Sequence, residues 1–245
     1  MRVLLTRRWL IFFVVVCVSA YAAWWLGEWQ FHRLHDRKDR NAHARANLAM
    51  DPVPVTDVMS TEHPVARADE WSRVTITGTF QSADTIVVRY QTRDGTAGVD
   101  IVTPVKLDNG QGVLVDRGWM QTENTGDALD QAPPAASGKV TVEGWVRADG
   151  SGSSTQIEEH SVRAISSVAI GTTLDYPLLQ GFVDAESQTP AATDDLTPAD
   201  PPDLGNGPHF FYGLQWWFFG LLAIFGFCYL AYDEWRKTKR VTEPG

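Results

Sequence analysis

The chain has 245 residues and carries 30 Asp and Glu against 21 Lys and Arg, a formal net charge of −9. So acidic a molecule is a poor partner for nucleic acid, whose phosphates require concentrated positive charge. Its two cysteines, Cys17 and Cys228, both fall in apolar segments, which excludes a disulfide framework and a cysteine-held copper or zinc site from the polar remainder.

Residues 1–8 are basic, with Arg2, Arg7 and Arg8, and Trp9 to Leu26 carries no charge. Its length is close to the roughly 20 residues a helix needs to cross about 30 Å of hydrocarbon, so residues 9–26 are predicted as a first transmembrane helix. The same stretch can be read as a cleaved secretory signal, because a basic start, the apolar Leu10 to Val18 and Ala20-Tyr21-Ala22 make an A-x-A pattern. The apolar run continues through Trp24, Trp25 and Leu26, so an uncleaved helix is expected. Gly27 to Met50 is charged and free of proline, which predicts that this helix continues outward for several turns. On it, His32, His35 and Asp36 are close enough along a helix to share a ligand. Nothing nearby completes a metal-ligand set, and a solvated charged face is the plainer reading.

Strand signals come next. Arg73 to Phe80 alternates, with Val74, Ile76 and Phe80 on one face, and Ile86, Val88 and Tyr90 repeat the pattern. Val99 to Val105 and Gly112 to Val115 are separated by the turn-like Leu107-Asp108-Asn109-Gly110, and Val140 to Val146 is a further run. Breaks fall at Asp130 to Gly138 and Asp149 to Ser154. Residues 27–185 are read as one mainly β domain with a helical start. Residues 186–208, with Pro190, Pro198, Pro201 and Pro202, are read as an acidic tether that lets the domain move relative to the second apolar run. That run, Phe210 to Tyr232, is predicted as a transmembrane helix over 210–232, with residues 233–245 as its tail.

The expected fold class is therefore a membrane protein in which two transmembrane α-helices flank an external α+β domain dominated by an antiparallel β-sheet or small barrel. Arg236, Lys237, Lys239 and Arg240 lie beyond the second run, and no Lys or Arg lies between Arg163 and Arg236. Both termini are thus expected in the cytoplasm and the domain outside. Arg33, Arg37, Lys38, Arg40 and Arg45 crowd the outer side of the first run and disagree. The second run decides, because two crossings return both ends to one face. Trp9, Trp24, Trp25, Trp29, Trp216, Trp217 and Trp235 sit in or beside the runs, as an interfacial belt does.

Three blocks carry a resemblance. Leu26-Gly27-Glu28-Trp29-Gln30-Phe31-His32-Arg33-Leu34 is similar to an L-G-x-W-Q-x-x-R-L signature. Gly98 to Pro104, followed by Val113-Leu114-Val115-Asp116-Arg117-Gly118-Trp119, resembles G-x-x-x-x-T-P and V-L-V-x-R-G-W strands. His209-Phe210-Phe211-Tyr212-Gly213-Leu214-Gln215-Trp216 resembles H-x-x-Y-x-x-Q-W. Together, in this order and between two apolar runs, they resemble the Surfeit locus protein 1 family of cytochrome c oxidase assembly factors. One departure is Met120-Gln121, where the family usually has a proline shortly after R-G-W.

The resemblance implies an assembly factor for an aa3-type oxidase that assists heme a insertion or stabilises the catalytic subunit, in the cell membrane or, in a eukaryote, the mitochondrial inner membrane. Heme a, held transiently, is the implied cofactor. The implied partners are the oxidase catalytic subunit, other oxidase assembly proteins and membrane lipid. Imidazole is a common heme ligand, which places His209 first, with Tyr212, Gln215 and Trp216 as polar contacts; the plain alternative for His209 is an interfacial histidine. Arg33 and Arg117 are candidates for a heme propionate or, equally, for a local carboxylate such as Asp36 or Asp116. The motif residues are Gly27, Trp29, Gln30, Arg33, Arg117, Gly118 and Trp119. No G-x-S-x-G, H-E-x-x-H, P-loop or dinucleotide fingerprint occurs, so no enzyme activity is expected. The other readings are a permanent accessory subunit of a respiratory oxidase that never handles heme and, behind it, a membrane-tethered sensor or hydrolase.

Overall fold

A computed structural model describes residues 6–123 and 128–241, with side chains through residue 238; Arg2, the side chains of Lys239 and Arg240 and the end of the tail, 242–245, lie outside the described residues. In chain order the elements are α1 (Arg7–Leu48), β1 (Val53–Pro54), β2 (Arg73–Phe80), β3 (Ile86–Arg93), β4 (Thr96–Leu107), β5 (Gly112–Gln121), α2 (Ala128–Gln131), β6 (Lys139–Arg147), β7 (Ser161–Val162), α3 (Ser167–Gly171), β8 (Leu178–Thr189) and α4 (His209–Val241). They form two units, Met1–Asn41 with Gly205–Gly245, and Ala42–Leu204.

Helix α1, whose residues 7–41 belong to the first unit, is one helix of 42 residues, uninterrupted because no proline precedes Pro52. α4 begins directly after Gly207-Pro208, where a missing N–H costs nothing. Both helices contain stretches long and apolar enough to cross a membrane. They run antiparallel. At one end the rings of Trp9, Phe12 and Phe13 lie 5.8, 5.3 and 5.6 Å from that of Phe227; at the other, Phe31 lies 6.2 Å from Phe210 and 4.8 Å from Trp217. Between these ends the seam is small: Val16, Ala23 and Gly27 of α1 and Gly213 and Gly220 of α4 are buried. Helices that pair in lipid pack through such small residues, because lipid chains are as apolar as leucine and only close backbone approach gains contact.

In the second unit an eight-stranded sheet has the order β1-β2-β6-β8-β5-β4-β3-β7. The predicted alternation in β2 holds: Val74, Ile76 and Phe80 are buried. With Val140, Val142, Val146, Val113 and Val115 they form the core on one face of the sheet. Leu114, Val102, Ile86, Val88 and Val162 form a second core on the other face, so the central strands are buried on both sides. The tight turn after Leu107 is the β4–β5 hairpin, with Gly110 at φ 84°.

The small-barrel alternative does not hold. The sheet ends in two edges, β1 and β7, of two residues each. A three-residue pairing of β2 with β4 curls it without removing those edges. Nor is it wholly antiparallel, because β1–β2, β3–β7 and β5–β8 are parallel. The expected repeat through Tyr90 also fails: the register of β3 shifts between Val88 and Gln91, and Tyr90 stands exposed at φ 66°.

Strand β8, between β5 and β6, is not among the strands expected from the sequence. Gly181, at φ 99°, breaks its apolar run, and its second half is polar and overlaps the expected tether. The segment beyond β8 is not a free tether. It docks on the sheet unit through a Trp119–Thr197 bridge, with N···O distances of 2.7 and 2.9 Å, and Arg45 Nη2 donates to the Leu204 carbonyl at 2.9 Å.

Candidate functional site

In the helix unit, the first and third motif blocks meet. Gly27 is required because a Cβ there would overlap the Trp217 indole, and a Cβ on Gly213 would meet the Phe31 ring at 2.9 Å. That close approach brings His209, half-buried at the start of α4, to Gln30, with Nδ1 and Oε1 2.9 Å apart. Phe31 lies among Phe210 and Trp217 beside this pair. Arg37 Nε and Asn41 Nδ2 both donate to the Gly205 carbonyl, at 2.6 and 3.1 Å, which fixes the chain just before His209.

Other residues of these blocks are placed differently. Arg33 stacks over Trp29 on its own helix, 5.3 Å from the ring centroid, and both are exposed. Tyr212 and Gln215 are exposed on α4, and Trp216 packs edge-on to Phe219. His32 Nδ1 bonds to the Glu28 carbonyl, and His35 lies 3.4 Å from Asp39.

The second block lies in the sheet unit and has a structural logic of its own. Gly98 leaves room for the Trp119 ring, whose Nε1 donates to the Gln91 carbonyl at 3.0 Å. Gly118, at φ 131°, faces the Thr197 carbonyl, where a side chain would collide. The Arg117 side chain is 5% exposed and donates to the carbonyls of Pro133 and Pro134, at 2.9 and 3.1 Å, and to Asp194 at 2.5 Å. Neither Asp36 nor Asp116 is its partner. Arg-Gly-Trp is thus the docking strip for the segment after β8.

A profile of the SURF1 family, the Surfeit locus protein 1 family, matches residues 17–221. The chain belongs to this family. Among SURF1 relatives, an uncharacterised SURF1-like protein of Mycobacterium tuberculosis is 26% identical over 243 residues, covering 97% of this chain and 88% of its own. A SURF1-like protein of Monosiga brevicollis is 32% identical over 137 residues, 51% of this chain and 48% of its own. The cytochrome oxidase assembly protein SHY1 of Saccharomyces cerevisiae is 28% identical over 102 residues, 41% of this chain and 26% of its own.

Several features of this SURF1 chain lay beyond sequence reasoning. Phe31, Phe210, Gly213 and Trp217 complete the helix contact, and their signal was a spacing of three and four, from Gly27 to Phe31 on one helix and from Phe210 through Gly213 to Trp217 on the other. Asp194 was one acid among several, with nothing local to mark it as the partner of Arg117. Asp116 and Asp184, buried in the sheet, and half-buried Asp100 come together only through strand order.

Proposed function

We propose that this protein is an assembly factor for an aa3-type cytochrome c oxidase, assisting heme a insertion or holding the catalytic subunit while it is built. Heme a is its transient cargo. The oxidase catalytic subunit, other oxidase assembly proteins and membrane lipid are its partners, and it catalyses no reaction. In this reading residues 9–26 and 210–232 cross the membrane, both ends are cytoplasmic and the sheet unit is outside.

The observation that carries the reading is the His209–Gln30 pair. With the amide oxygen accepting, the ring proton sits on Nδ1, and Nε2 keeps its lone pair, the form in which imidazole ligates heme iron. Phe31, Phe210 and Trp217 add flat apolar surface suited to a porphyrin. Exposed Arg33 is the guanidinium for a propionate, while Arg117 anchors the segment after β8. The relationship to the yeast assembly protein supports the same reading.

The test is the pigment spectrum of the full-length protein purified from cells that make heme a. Substoichiometric a-type absorption is expected, and His209→Ala should remove most of it while the protein still accumulates, because one half-buried side chain adds little to helix pairing. A colourless wild-type protein contradicts direct heme holding, and stoichiometric recovery with the finished oxidase favours a permanent subunit.

A further inference from the structure

Five charged side chains form a row across five neighbouring strands, β6-β8-β5-β4-β3: Arg147, Asp184, Asp116, Asp100 and Arg93. Asp116 and Asp184 are register partners of the parallel pair β5–β8. Arg147 Nη1 donates to Asp184 at 2.7 Å and Arg93 Nη2 to Asp100 at 3.1 Å. Asp116, between them, accepts from the Gly118 amide at 2.9 Å. Three carboxyls facing two guanidiniums balance only when one carboxyl is neutral. Burial, and then the charges of Asp100 and Asp184, push Asp116 well above the usual carboxylate range.

The row continues beyond the sheet. Nη1 of Arg93 donates to the carbonyls of Thr197 and Pro198, at 3.2 and 2.6 Å. These belong to the segment that docks on Trp119 and then runs on to α4. Ala199 and Asp200 of that segment line the same cleft as the row, of about 400 Å³.

We propose that Arg93 is a latch between the row and the docked segment: the charge on Asp100 fixes the guanidinium, and the guanidinium holds Thr197 and Pro198. The groups facing Asp100 are Arg93 from β3, Asp116 from β5, Asp184 from β8 and Arg147 from β6, with Asp149, Arg163 and Asp200 around the cleft. Burial, opposed by Arg93 and helped by Asp184, pushes Asp100 up to about 6. As pH falls through that value Asp100 takes a proton, its charge-assisted bond becomes a neutral one, and Arg93 loses its fixed place. The segment is then held by the Trp119 bridge and the Arg117–Asp194 pair, so acid loosens the stretch that leads into α4. The latch is independent of any heme-handling role.

Hydrogen exchange of the full-length protein in detergent tests it, with protection corrected for intrinsic rates at each pH. Protection at Thr197 is expected to fall about tenfold between about pH 7.5 and about pH 5, the size of one lost charge-assisted bond. Asp100→Asn should show the low value at both, and so should Arg93→Lys, which keeps the charge and loses the two-sided fork. Amides of β2 and β6 report global stability. Equal wild-type protection at the two pH values overturns the proposal whatever the variants do. So does an Asp100→Asn protein that keeps the wild-type response with β2 and β6 intact.

Discussion

Asp116 is 5% exposed at the centre of the row, and its placement sets how the fold responds to pH. Asp100, Asp116 and Asp184 all have raised pKa values, with burial as the first cause. Each binds its proton more tightly in the fold than in the unfolded chain, so the stability it contributes is complete below about pH 4 and is lost as pH rises through the folded value. For Asp100, moved from 3.8 to about 6, the loss is on the order of 2–3 kcal/mol. The sheet unit should therefore grow more stable toward acid while the docked segment loosens. Asp116→Asn keeps the shape and removes the charge. It is expected to raise the unfolding temperature near pH 8 and flatten the slope, measured by thermal unfolding between about pH 5 and about pH 8. An unchanged slope with lower stability would contradict this account.

At the scale of elements, the motif glycines are spacers for aromatic rings: Gly27 for Trp217, Gly213 for Phe31 and Gly98 for Trp119. The glycine and the ring stand far apart in sequence, so no window along the chain shows why the glycine is needed. Alternation in β2 and β6 was legible because a half-buried strand repeats every two residues. Strand β8 was not, since Gly181 and a polar second half hide the period. The α1–α4 seam gives a direct prediction. A built Cβ on Gly220 lies 3.3 Å from that of Ala23, so Ala23→Cys with Gly220→Cys, in a chain whose Cys17 and Cys228 are replaced by alanine, should form a disulfide readily in membranes. Gly27→Leu should cut the yield severalfold, consistent with roughly 1–3 kcal/mol of overpacking. Equal yields from Ala22→Cys, on the exposed side of α1, would contradict this seam.

For the whole molecule, composition and the two apolar runs were enough to read a pair of terminal helices around a sheet-rich domain, because each signal is local. The meeting of Gln30 with His209 was approachable, since both adjoin apolar runs that pair as antiparallel helices. The charged row was not, because its five members come from strands whose order the sequence does not display. The acidic segment was legible as proline-rich and misread as free, because Arg117, Trp119 and Arg93 hold it by contacts that composition does not reveal. The measurement that tests the central claim most directly is the a-type heme spectrum and oxidase content of membranes from cells lacking this protein. Assembled aa3 oxidase is expected to fall severalfold while heme a is still made, and full oxidase content with a normal a-type signal would contradict the assembly role.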